Sequence, residues 1–229
     1  MVTAPPGWLN NADGVSYPPA PWHLRGTAYV SLWRVRADEL PAACLPPEAR
    51  PVTLLGRAVV GTGWAVYGPG GVLAYNEVLA AVRVRLAGRL FTTVTHIWVD
   101  HPSSVAGARE LWSIPKQLAA FRVRPDGGGG DPDFVASAAT LDGRPIAALR
   151  FWGRVALPGR WRLRTRTAQR PLGHGRGEGL KIARAEARTS VELGAATWDF
   201  ASEGPLGFLR AHEPFVSARL AGLSLRFGG

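Results

Sequence analysis

The sequence predicts a mainly β fold with few helices, and three observations lead to that prediction. Runs of β-branched, aromatic and other apolar residues of strand length recur along most of the 229 residues. Turn-forming residues separate these runs, and the chain contains 28 Gly and 19 Pro. A single stretch shows the three- and four-residue apolar spacing of a helix. The 46% hydrophobic residues can form the core of one sizeable domain, which excludes disorder as the main state.

The predicted elements follow each other with short connections. Segment 1–21 contains five prolines and predicts an extended arm ahead of a single domain over 22–229. Strands are predicted at 27–36, 53–60, 62–67, 72–87 with a possible bend, 90–99, 119–124, 133–140, 145–153, 159–167, 180–193 and 215–227. Asp142-Gly143 between two apolar runs predicts a hairpin, and glycine-rich loops are predicted at 68–71, 127–130 and 173–179. The connections indicate antiparallel pairing.

One short helix is predicted in the segment SSVAGARELW, after the strand that ends at Asp100. Its apolar residues recur at helical spacing, at Val105, Ala108, Leu111 and Trp112. We expect Asp100 or Ser103 to cap its N-terminus and Pro115 to end it, because proline supplies no N–H. Lys116 follows directly in an apolar setting that is unusual for a cation.

The positive charges divide unevenly between the two basic residue types. The formal net charge is +10, and the basic residues are 25 Arg and two Lys, Lys116 and Lys181. A lysine retained in an arginine-rich chain suggests amine chemistry, because a guanidinium stays protonated whereas a desolvated ε-amino group can lose its proton. Lys181 lies in an alternating strand pattern and is interpreted as structural.

Several classes of protein and site are disfavoured by the sequence. Cys44 is the single cysteine, the N-terminus lacks a signal-peptide pattern, and no apolar run reaches about 18 residues. A cytoplasmic location without membrane insertion is therefore expected. No spacing of His and Cys typical of a metal site occurs, so neither a metal nor an organic cofactor is expected. The loop at 173–179 lacks the Gly-Lys-Ser/Thr ending of a phosphate-binding loop and is interpreted as mobile.

Three segments, in order and spacing, resemble the acetoacetate decarboxylase family over roughly 17–124. GARELWSIPKQL at 107–118 is similar to the family's active-site segment, in which Arg-Glu-Leu is followed shortly by Pro-Lys-Lys-Leu. Tyr75-Asn-Glu77 is similar to the strand that carries the family's active-site glutamate, and Tyr17–Trp22 resembles the entry into its first strand. The resemblance implies a closed, cone-like antiparallel β-barrel with a few short helices that forms a homo-oligomer.

The same resemblance implies the chemistry of the site. Lys116 aligns with the Schiff-base lysine and Glu77 with a second catalytic group, and the candidate substrate-binding residues are Arg25, Arg109, Gln117 and Trp112. The iminium formed by a lysine and a ketone withdraws the electrons that are released when a β-carboxylate leaves as carbon dioxide. The implied function is a carbon–carbon lyase that decarboxylates a small β-keto acid such as acetoacetate, without a cofactor.

The departures from the family pattern leave alternatives open. Gln117 stands where the family has a second lysine, and Thr27 and Thr62 stand near the positions of a family arginine and a second glutamate. An aldolase or dehydratase that uses the same lysine with pyruvate or another oxo acid is therefore the first alternative. A non-enzymatic nucleic-acid-binding module, based on the arginines of 160–166, is the second and is disfavoured. Strand alternation alone would place Glu77 at the solvent.

Overall fold

The computed structural model describes residues 5–125, 132–172 and 179–229, and strands dominate them. The longer strands are β3 (Trp22–Val35), β6 (Arg57–Tyr67), β7 (Tyr75–Leu86), β8 (Arg89–Val99), β10 (Ala120–Pro125), β11 (Phe134–Ala139), β12 (Pro145–Ala156), β13 (Trp161–Gln169), β14 (Lys181–Phe200) and β15 (Val216–Phe227). The short strands are β1 (Leu9–Asn10), β2 (Ser16–Tyr17), β4 (Arg50–Pro51), β5 (Thr53–Leu54) and β9 (Lys116–Leu118). The helical elements are α1 (Pro102–Trp112) and single 3-10 turns at Ala37–Glu39, Ala42–Cys44 and Gly207–Leu209. The prediction of a mainly β fold is confirmed.

Seven of the described strands pair around a closed ring. From β3 the ring runs through β6, β7 and β8 in one direction and through β15, β14 and β13 in the other. A pairing between β13 and β8 closes it. The ring is compatible with the cone-like barrel implied by the family resemblance. Its pairings are antiparallel except for β13 with β8, and β9 is also parallel to β8.

The seam between β8 and β13 depends on side chains more than the other pairings do. Its paired position joins Thr167 to Thr92. Beyond it, the side-chain amide of Gln169 replaces a strand partner for Val94. The amide nitrogen donates to the Val94 carbonyl at 2.9 Å, and the amide oxygen accepts from the Val94 N–H at 2.9 Å. On the other side of Thr92 no further backbone pairing joins the described parts of the two strands, and a cavity lined by Leu90 and Thr165 lies there.

Both faces of β7 are covered by apolar side chains. Tyr75 and Ala81 face a core that includes Trp22, Leu24, Tyr67, Val99 and Trp112. Val78 and Val82 face a second core, in which β11 and β12 contribute Phe134, Ala136, Leu149 and Phe151. This second core exists because β10, β11 and β12 continue the sheet beyond β14 and pack over the outside of the ring. Residues on both faces of β7 are therefore buried along its first part, as Glu77 and Val78 are, whereas Arg85 near its end is exposed.

The helix α1 was predicted correctly in type, but its cap was not. Pro102 occupies the first turn, and the ring of His101 accepts a hydrogen bond from the Ser103 N–H at 3.2 Å. The prediction of Asp100 or Ser103 as the cap was wrong. Asp100 instead accepts hydrogen bonds from the backbone and side chain of Asn76 at 2.8 and 2.6 Å. The helix ends at Trp112, before Pro115.

In the described part of the N-terminal segment, residues 9–17 form a hairpin that packs on α1. β1 and β2 pair antiparallel, and Tyr17 is buried. Gly107 of α1 permits the contact, because a Cβ at this position would overlap the Trp22 ring and lie 3.0 Å from Tyr17. The domain boundary at residue 22 stays a prediction.

The turns and bends follow the sequence pattern where they are described. The hairpin between β11 and β12 contains Gly143 at φ 87°, and Thr140 and Arg144 are joined across it by a backbone hydrogen bond of 2.9 Å. The register between β7 and β8 shifts at Ala80/Ala81, where β8 contains the additional residue Thr95, and the possible bend within 72–87 stays a prediction. The predicted loops at 127–130 and 173–178 lie outside the described residues. No helix in the described parts of the chain is long and apolar enough to cross a membrane.

Candidate active site

Lys116 lies at the first position of β9, shortly after α1 ends. Ser113 adopts a left-handed conformation with φ 53°, and the Ile114 N–H donates to the Ala108 carbonyl at 3.1 Å. This reversal brings β9 alongside β8, with Lys116 opposite Ile97. Lys116 is 4% exposed. The lysine is therefore enclosed by protein and does not extend to water as a helix-end lysine usually does.

Glu77 of β7 and Lys116 form a buried ion pair. The Glu77 Oε2 and Lys116 Nζ atoms are 2.7 Å apart, and their side chains are 7% and 5% exposed. Glu77 is flanked across the sheet by Ala65 and Val99, neither of which supplies a charge. Removing either charged partner would leave the other buried and uncompensated, at a cost of several kcal/mol. The two side chains therefore depend on each other.

Two hydroxyl groups complete the surroundings of the Lys116 amine. Nζ donates to the Tyr75 hydroxyl at 3.2 Å and to the Ser104 hydroxyl, in the first turn of α1, at 3.0 Å. An ammonium group has three N–H donors and no acceptor. Glu77, Tyr75 and Ser104 thus provide one acceptor for each N–H, an arrangement that suits the charged amine.

Tyr67 contacts the other oxygen of Glu77. Its hydroxyl donates to Oε1 at 3.5 Å, and its ring lies 4.8 Å from the ring of Tyr75. Burial raises the pKa of both phenols well above its ordinary value, and the nearby Glu77 carboxylate raises it further. Both tyrosines therefore remain hydrogen-bond donors at neutral pH. Lys116, Glu77, Tyr75, Ser104 and Tyr67 are called the Lys116 cluster below.

Aromatic residues enclose the Lys116 cluster. Nζ lies 4.8 Å from the centre of the Tyr75 ring and 6.0 Å from that of Trp22. Trp22 meets Trp112 edge to face with ring centres 5.0 Å apart, and Trp112 meets Phe227 in the same way at 4.8 Å. These rings limit access of water, which strengthens the electrostatic interactions among the polar groups.

The predicted substrate-binding residues are placed differently from one another. Trp112 is buried near the cluster, and the Arg109 Nε donates to the main-chain oxygen of Lys116 at 2.8 Å. Arg25 is exposed and packs against the turn at Gly70. Gln117 is exposed on the opposite side of β9, where it lines a separate cavity of about 1140 Å³. In the described residues, no hydrogen bond or ion pair joins Lys116 to Arg25 or Gln117.

The other two positions at which the family pattern is interrupted, Thr27 and Thr62, add no charge to the cluster. Thr27 pairs with Val66 between β3 and β6. Thr62 lies opposite Ala80, on the face of the sheet away from Glu77, and accepts a hydrogen bond from Trp33 Nε1 at 2.9 Å. Thr62 therefore faces the second core, on the same side of the sheet as Val78 and Val82.

Histidines do not gather into a metal-like group in the described part of the chain. No three His, Cys, Asp or Glu side chains there are arranged to hold a metal ion. His96 lies parallel to Trp98 with ring centres 6.0 Å apart, and burial lowers its pKa from 6.5. His101 caps α1, and burial lowers its pKa as well.

Comparison of the sequence with known protein families identifies the family of this chain. The sequence profile described as Acetoacetate decarboxylase (ADC) matches residues 5–165. The chain belongs to the acetoacetate decarboxylase family. The matched range contains the whole Lys116 cluster and extends beyond the segments that suggested the resemblance. A comparison with curated protein sequences finds no match.

Solved structures with a similar fold include family enzymes. The enduracididine biosynthesis enzyme MppR complexed with pyruvate is 18% identical, with a TM-score of 0.70 over 95% of this chain and 93% of that chain. An acetoacetate decarboxylase from Legionella pneumophila subsp. pneumophila str. Philadelphia 1 is 16% identical, with a TM-score of 0.61 over 98% of this chain and 92% of that chain. At these identities the similarity shows the fold.

Tyr75, Ser104 and Tyr67 were not identified as site residues from the sequence. Tyr75 was recognisable in principle, because it precedes Glu77 by two residues and lies on the same face of a strand. Tyr67 faces Tyr75 across the β6–β7 pairing, a register that the hairpin sets. Ser104 carried no signal, since a serine in the first turn of a helix usually serves the helix end.

Proposed function

We propose that this protein is a lyase in which Lys116 forms a Schiff base with a small β-keto acid, such as acetoacetate, and releases carbon dioxide from it. The observation that carries the proposal is the buried 2.7 Å contact between Lys116 Nζ and Glu77 Oε2. In this contact a proton acceptor touches the atom that must lose a proton before it attacks a carbonyl group. Membership of the family supports a lysine-dependent enzyme in general. Decarboxylation of a β-keto acid is a more specific proposal, which rests on the contact between Lys116 and Glu77.

The first step is generation of the neutral amine. A free lysine is only about 0.04% neutral at pH 7, because its pKa is about 10.4. Transfer of one proton from Lys116 to Glu77 converts an ion pair into an amine and a carboxylic acid without changing their total charge. Neither state contains an isolated buried ion, so the transfer avoids that desolvation cost. Glu77 then replaces the second lysine of the family motif as the group that activates the amine.

The second step forms the iminium. The neutral amine attacks the ketone carbon to give a carbinolamine, whose hydroxyl leaves as water after it receives the proton held by Glu77. The Tyr75 and Ser104 hydroxyls, 3.2 and 3.0 Å from Nζ, lie where they can hydrogen-bond to that oxygen. The products are a cationic iminium, ionised Glu77 and one water molecule, so atoms and charges balance.

The third step releases carbon dioxide. The bond between the α-carbon and the carboxylate breaks, and its electron pair moves through the new carbon–carbon double bond to the iminium nitrogen, giving a neutral enamine. Ionised Glu77 repels a second carboxylate in a site of low dielectric constant, and this repulsion disappears when the carboxylate leaves. In the described residues, no arginine bonds to a side chain of the Lys116 cluster. Protonation of the enamine carbon and hydrolysis then release the ketone and restore Lys116.

The four predicted substrate-binding residues receive different proposed roles. Trp112 forms part of the apolar wall, and Arg109 orients Lys116 through the main-chain oxygen that it contacts at 2.8 Å. Arg25 and Gln117 remain predicted substrate contacts. If either binds substrate, Arg25→Gln or Gln117→Ala should raise KM with little change in kcat.

A second function is favoured by the similarity to MppR. Its structures contain pyruvate and, in another case, the condensation product of pyruvate and imidazole 4-carboxaldehyde. With pyruvate, Lys116 would form an iminium from which Glu77 removes a methyl proton, and the resulting enamine would attack an aldehyde. No carbon dioxide is produced by this route, so the product distinguishes it from decarboxylation.

The test is borohydride reduction with acetoacetate and, separately, with pyruvate, followed by mass spectrometry of the Lys116 peptide. An isopropyl group from acetoacetate supports decarboxylation if a parallel incubation with acetone, at the concentration released, labels far less. A carboxyethyl group from pyruvate alone supports the second function. Absence of any label on Lys116 with either keto acid would contradict both.

The chain offers a matched control because it has two lysines, Lys116 and Lys181. Lys116→Arg and Lys116→Met should both abolish the adduct, whereas Lys181→Arg should retain it. Circular dichroism of each variant checks folding. An adduct that persists in a folded Lys116 variant would overturn the assignment of the nucleophile.

We also propose that the protein self-associates. Leu32 and Val216 lie opposite each other on β3 and β15 and are 38% and 41% exposed. Leu193 and Val155 are paired in the same way on β14 and β12, at 37% and 56%. Such exposed apolar surface supports a homo-oligomer. Light scattering after gel filtration tests it, and a monomer at all concentrations would contradict it. A cytoplasmic location stays a prediction.

A further inference from the structure

A second cavity, away from the Lys116 cluster, lies where the pairing between β8 and β13 ends, beside Leu90 and Thr165. Its volume is about 500 Å³, within the range typical of small-molecule sites. Among the described residues, the charged side chains that line it are four arginines and one glutamate, with a net charge of +3, namely Arg83, Arg164, Arg166, Arg184 and Glu186. This cavity is called the arginine cleft.

Two arginines of the cleft face each other without an acidic partner. Arg166 of β13 lies directly opposite Arg184 of β14, and both are exposed. Like charges in directly opposite positions destabilise a sheet. Two residues earlier on β13, Arg164 lies opposite Glu186. On this face of the two strands the complementary pair thus lies between two like-charged pairs, Arg166 with Arg184 and Arg162 with Arg188. Of these, Arg162 also binds Glu186, whereas Arg166 and Arg184 have no ion pair among the described residues.

Glu186 does not compensate the pair of Arg166 with Arg184, because other arginines already bind it. Its carboxylate lies 3.0 Å from the Arg162 guanidinium and 3.5 Å from that of Arg164. The hydrogen bond from Arg162 is the largest cause that lowers the pKa of Glu186. Within the described residues, no ion pair includes Arg166, Arg184 or Arg83. These three guanidinium groups are therefore open to an anion from solution.

Arg83 is already held in place for such a ligand. Its Nη1 donates to the hydroxyls of Thr92 and Thr165, each at 3.1 Å, and the two hydroxyls are 3.2 Å apart. A guanidinium has five N–H donors in a fixed plane, so two bonds to one nitrogen orient the donors that remain. Arg83 is only part-exposed, and less side-chain freedom is lost when it binds an anion.

We propose that the arginine cleft binds a small polyanion through phosphate or carboxylate oxygens. The planar guanidinium groups match both kinds of oxyanion in bidentate geometry. The cleft is distinct from the catalytic site, since Arg83 lies six residues beyond Glu77 on β7, about 20 Å along the strand. The proposal does not depend on the function proposed for Lys116.

Calorimetric titration of the full chain with inorganic pyrophosphate and with citrate, at constant ionic strength, tests the proposal. The double variant R166Q/R184Q should weaken binding at least about tenfold, because two charge-assisted contacts are lost. R150Q/R154Q is the matched control, since Arg150 and Arg154 are both exposed on β12, do not line the cleft and, in the described part of the chain, have no ion pair with a residue that does. It removes the same charge and should change affinity less than about threefold by reducing the general field.

The possible results distinguish a phosphate site from a general oxyanion site, and both of these from a surface that binds nucleic acid. Binding of pyrophosphate alone identifies a phosphate site, and binding of both probes identifies a general oxyanion site. Equal losses in the two double variants, or no binding of either probe to the unmodified protein, would overturn the proposal. Tight, salt-dependent binding of duplex DNA that both double variants weaken equally would also overturn it, in favour of an extended nucleic-acid surface. K116M should bind both probes normally.

Discussion

The Lys116 cluster and the arginine cleft differ in whether the protein supplies partners for their positive charges. In the cluster a lysine that is 4% exposed is matched by one carboxylate and two hydroxyls. In the cleft Arg166 and Arg184 are exposed and face each other without an acid. A charge removed from water must be neutralised by the protein, whereas water and salt screen an exposed one. The protein can therefore leave charge free for a ligand only where water reaches it.

This difference also separates two kinds of function. The buried pair places a carboxylate oxygen 2.7 Å from the Lys116 amine, and the proposed covalent chemistry uses transfer of a proton between them. The cleft offers fixed N–H donors and excess charge, which suit reversible binding of an anion. Experiments that alter one region at a time test whether the separation holds.

The largest effect is expected from Glu77→Gln. The substitution leaves the Lys116 ammonium buried without a counter-charge and should lower the free energy of unfolding by about 3–5 kcal/mol. It should also slow borohydride trapping, because the proton acceptor is lost. Urea unfolding followed by tryptophan fluorescence measures the stability. Glu186→Gln, which removes an exposed carboxylate beside the cleft, is the control and should change stability far less. Equal losses would contradict the comparison.

A smaller loss is expected from Gly107→Ala, which alters the wall of the cluster. Alanine normally stabilises a helix relative to glycine by about 1 kcal/mol. Here the new methyl group overlaps the Trp22 ring, so we expect a net destabilisation of about 1–3 kcal/mol. Adding Trp22→Phe should recover part of the loss in Gly107→Ala, a non-additivity that urea unfolding detects. Simple additivity would show that the two residues are not in contact.

The buried phenols predict an alkaline limit to stability. The pKa of Tyr75 is raised in the folded protein, so above about pH 10 the unfolded chain releases this proton while the folded protein retains it. The free energy of unfolding should then fall by about 1.4 kcal/mol per pH unit for each such tyrosine. Tyr75→Phe should reduce that slope by about 1.4 kcal/mol per pH unit, the contribution of one tyrosine. The free energy of unfolding of the variant below about pH 9, where no tyrosine ionises, is the baseline for its slope. An unchanged slope would contradict burial of the phenol.

The smallest effect is expected at the cleft. Arg166→Gln removes one member of the repulsive pair and should raise the free energy of unfolding by about 0.2–1 kcal/mol at low salt. Sodium chloride at about 1 M should abolish this gain, because the Debye length, the distance over which charges interact, is then only about 3 Å. The loss caused by Glu77→Gln should persist at the same salt concentration. A salt-independent gain at position 166 would point to packing and not to charge.

Local sequence pattern was sufficient to predict most elements of the fold. The alternating and β-branched segments fall on the long strands, and the helical spacing of Val105, Ala108 and Leu111 matched α1. Two strand bounds were wrong, since β3 begins at Trp22 instead of residue 27, and β6 runs through Gly61, where a break between 53–60 and 62–67 was predicted. The prediction for β14 stopped at residue 193, although the strand continues to Phe200. Gly194 is a poor strand former, but here it admits the Phe151 ring, which a Cβ would overlap. Pairing with β12 extends the strand where intrinsic propensity would end it.

Local pattern alone gave the wrong environment for Glu77. Alternation along β7 suggested one core face and one solvent face. In the structure, one face points into the closed ring and the other is covered by β11 and β12, so Glu77 is 6% exposed. A single strand does not reveal whether its polar face will be enclosed, because ring closure depends on strands far away in sequence. The family resemblance, which the sequence profile confirms, supplied that information for Glu77.

The amino-acid sequence by itself determined which segments become strands, where the helix ends and which lysine lies in an apolar segment, since these depend on neighbours within a few positions. Tertiary structure decided which groups meet the Lys116 amine. Glu77, Tyr75 and Ser104 are 39, 41 and 12 residues away from it in sequence. Strand register and the packing of α1 bring them together and turn Arg25 and Gln117 elsewhere. Contacts over such separations are selected by burial of the whole core, which no local pattern encodes.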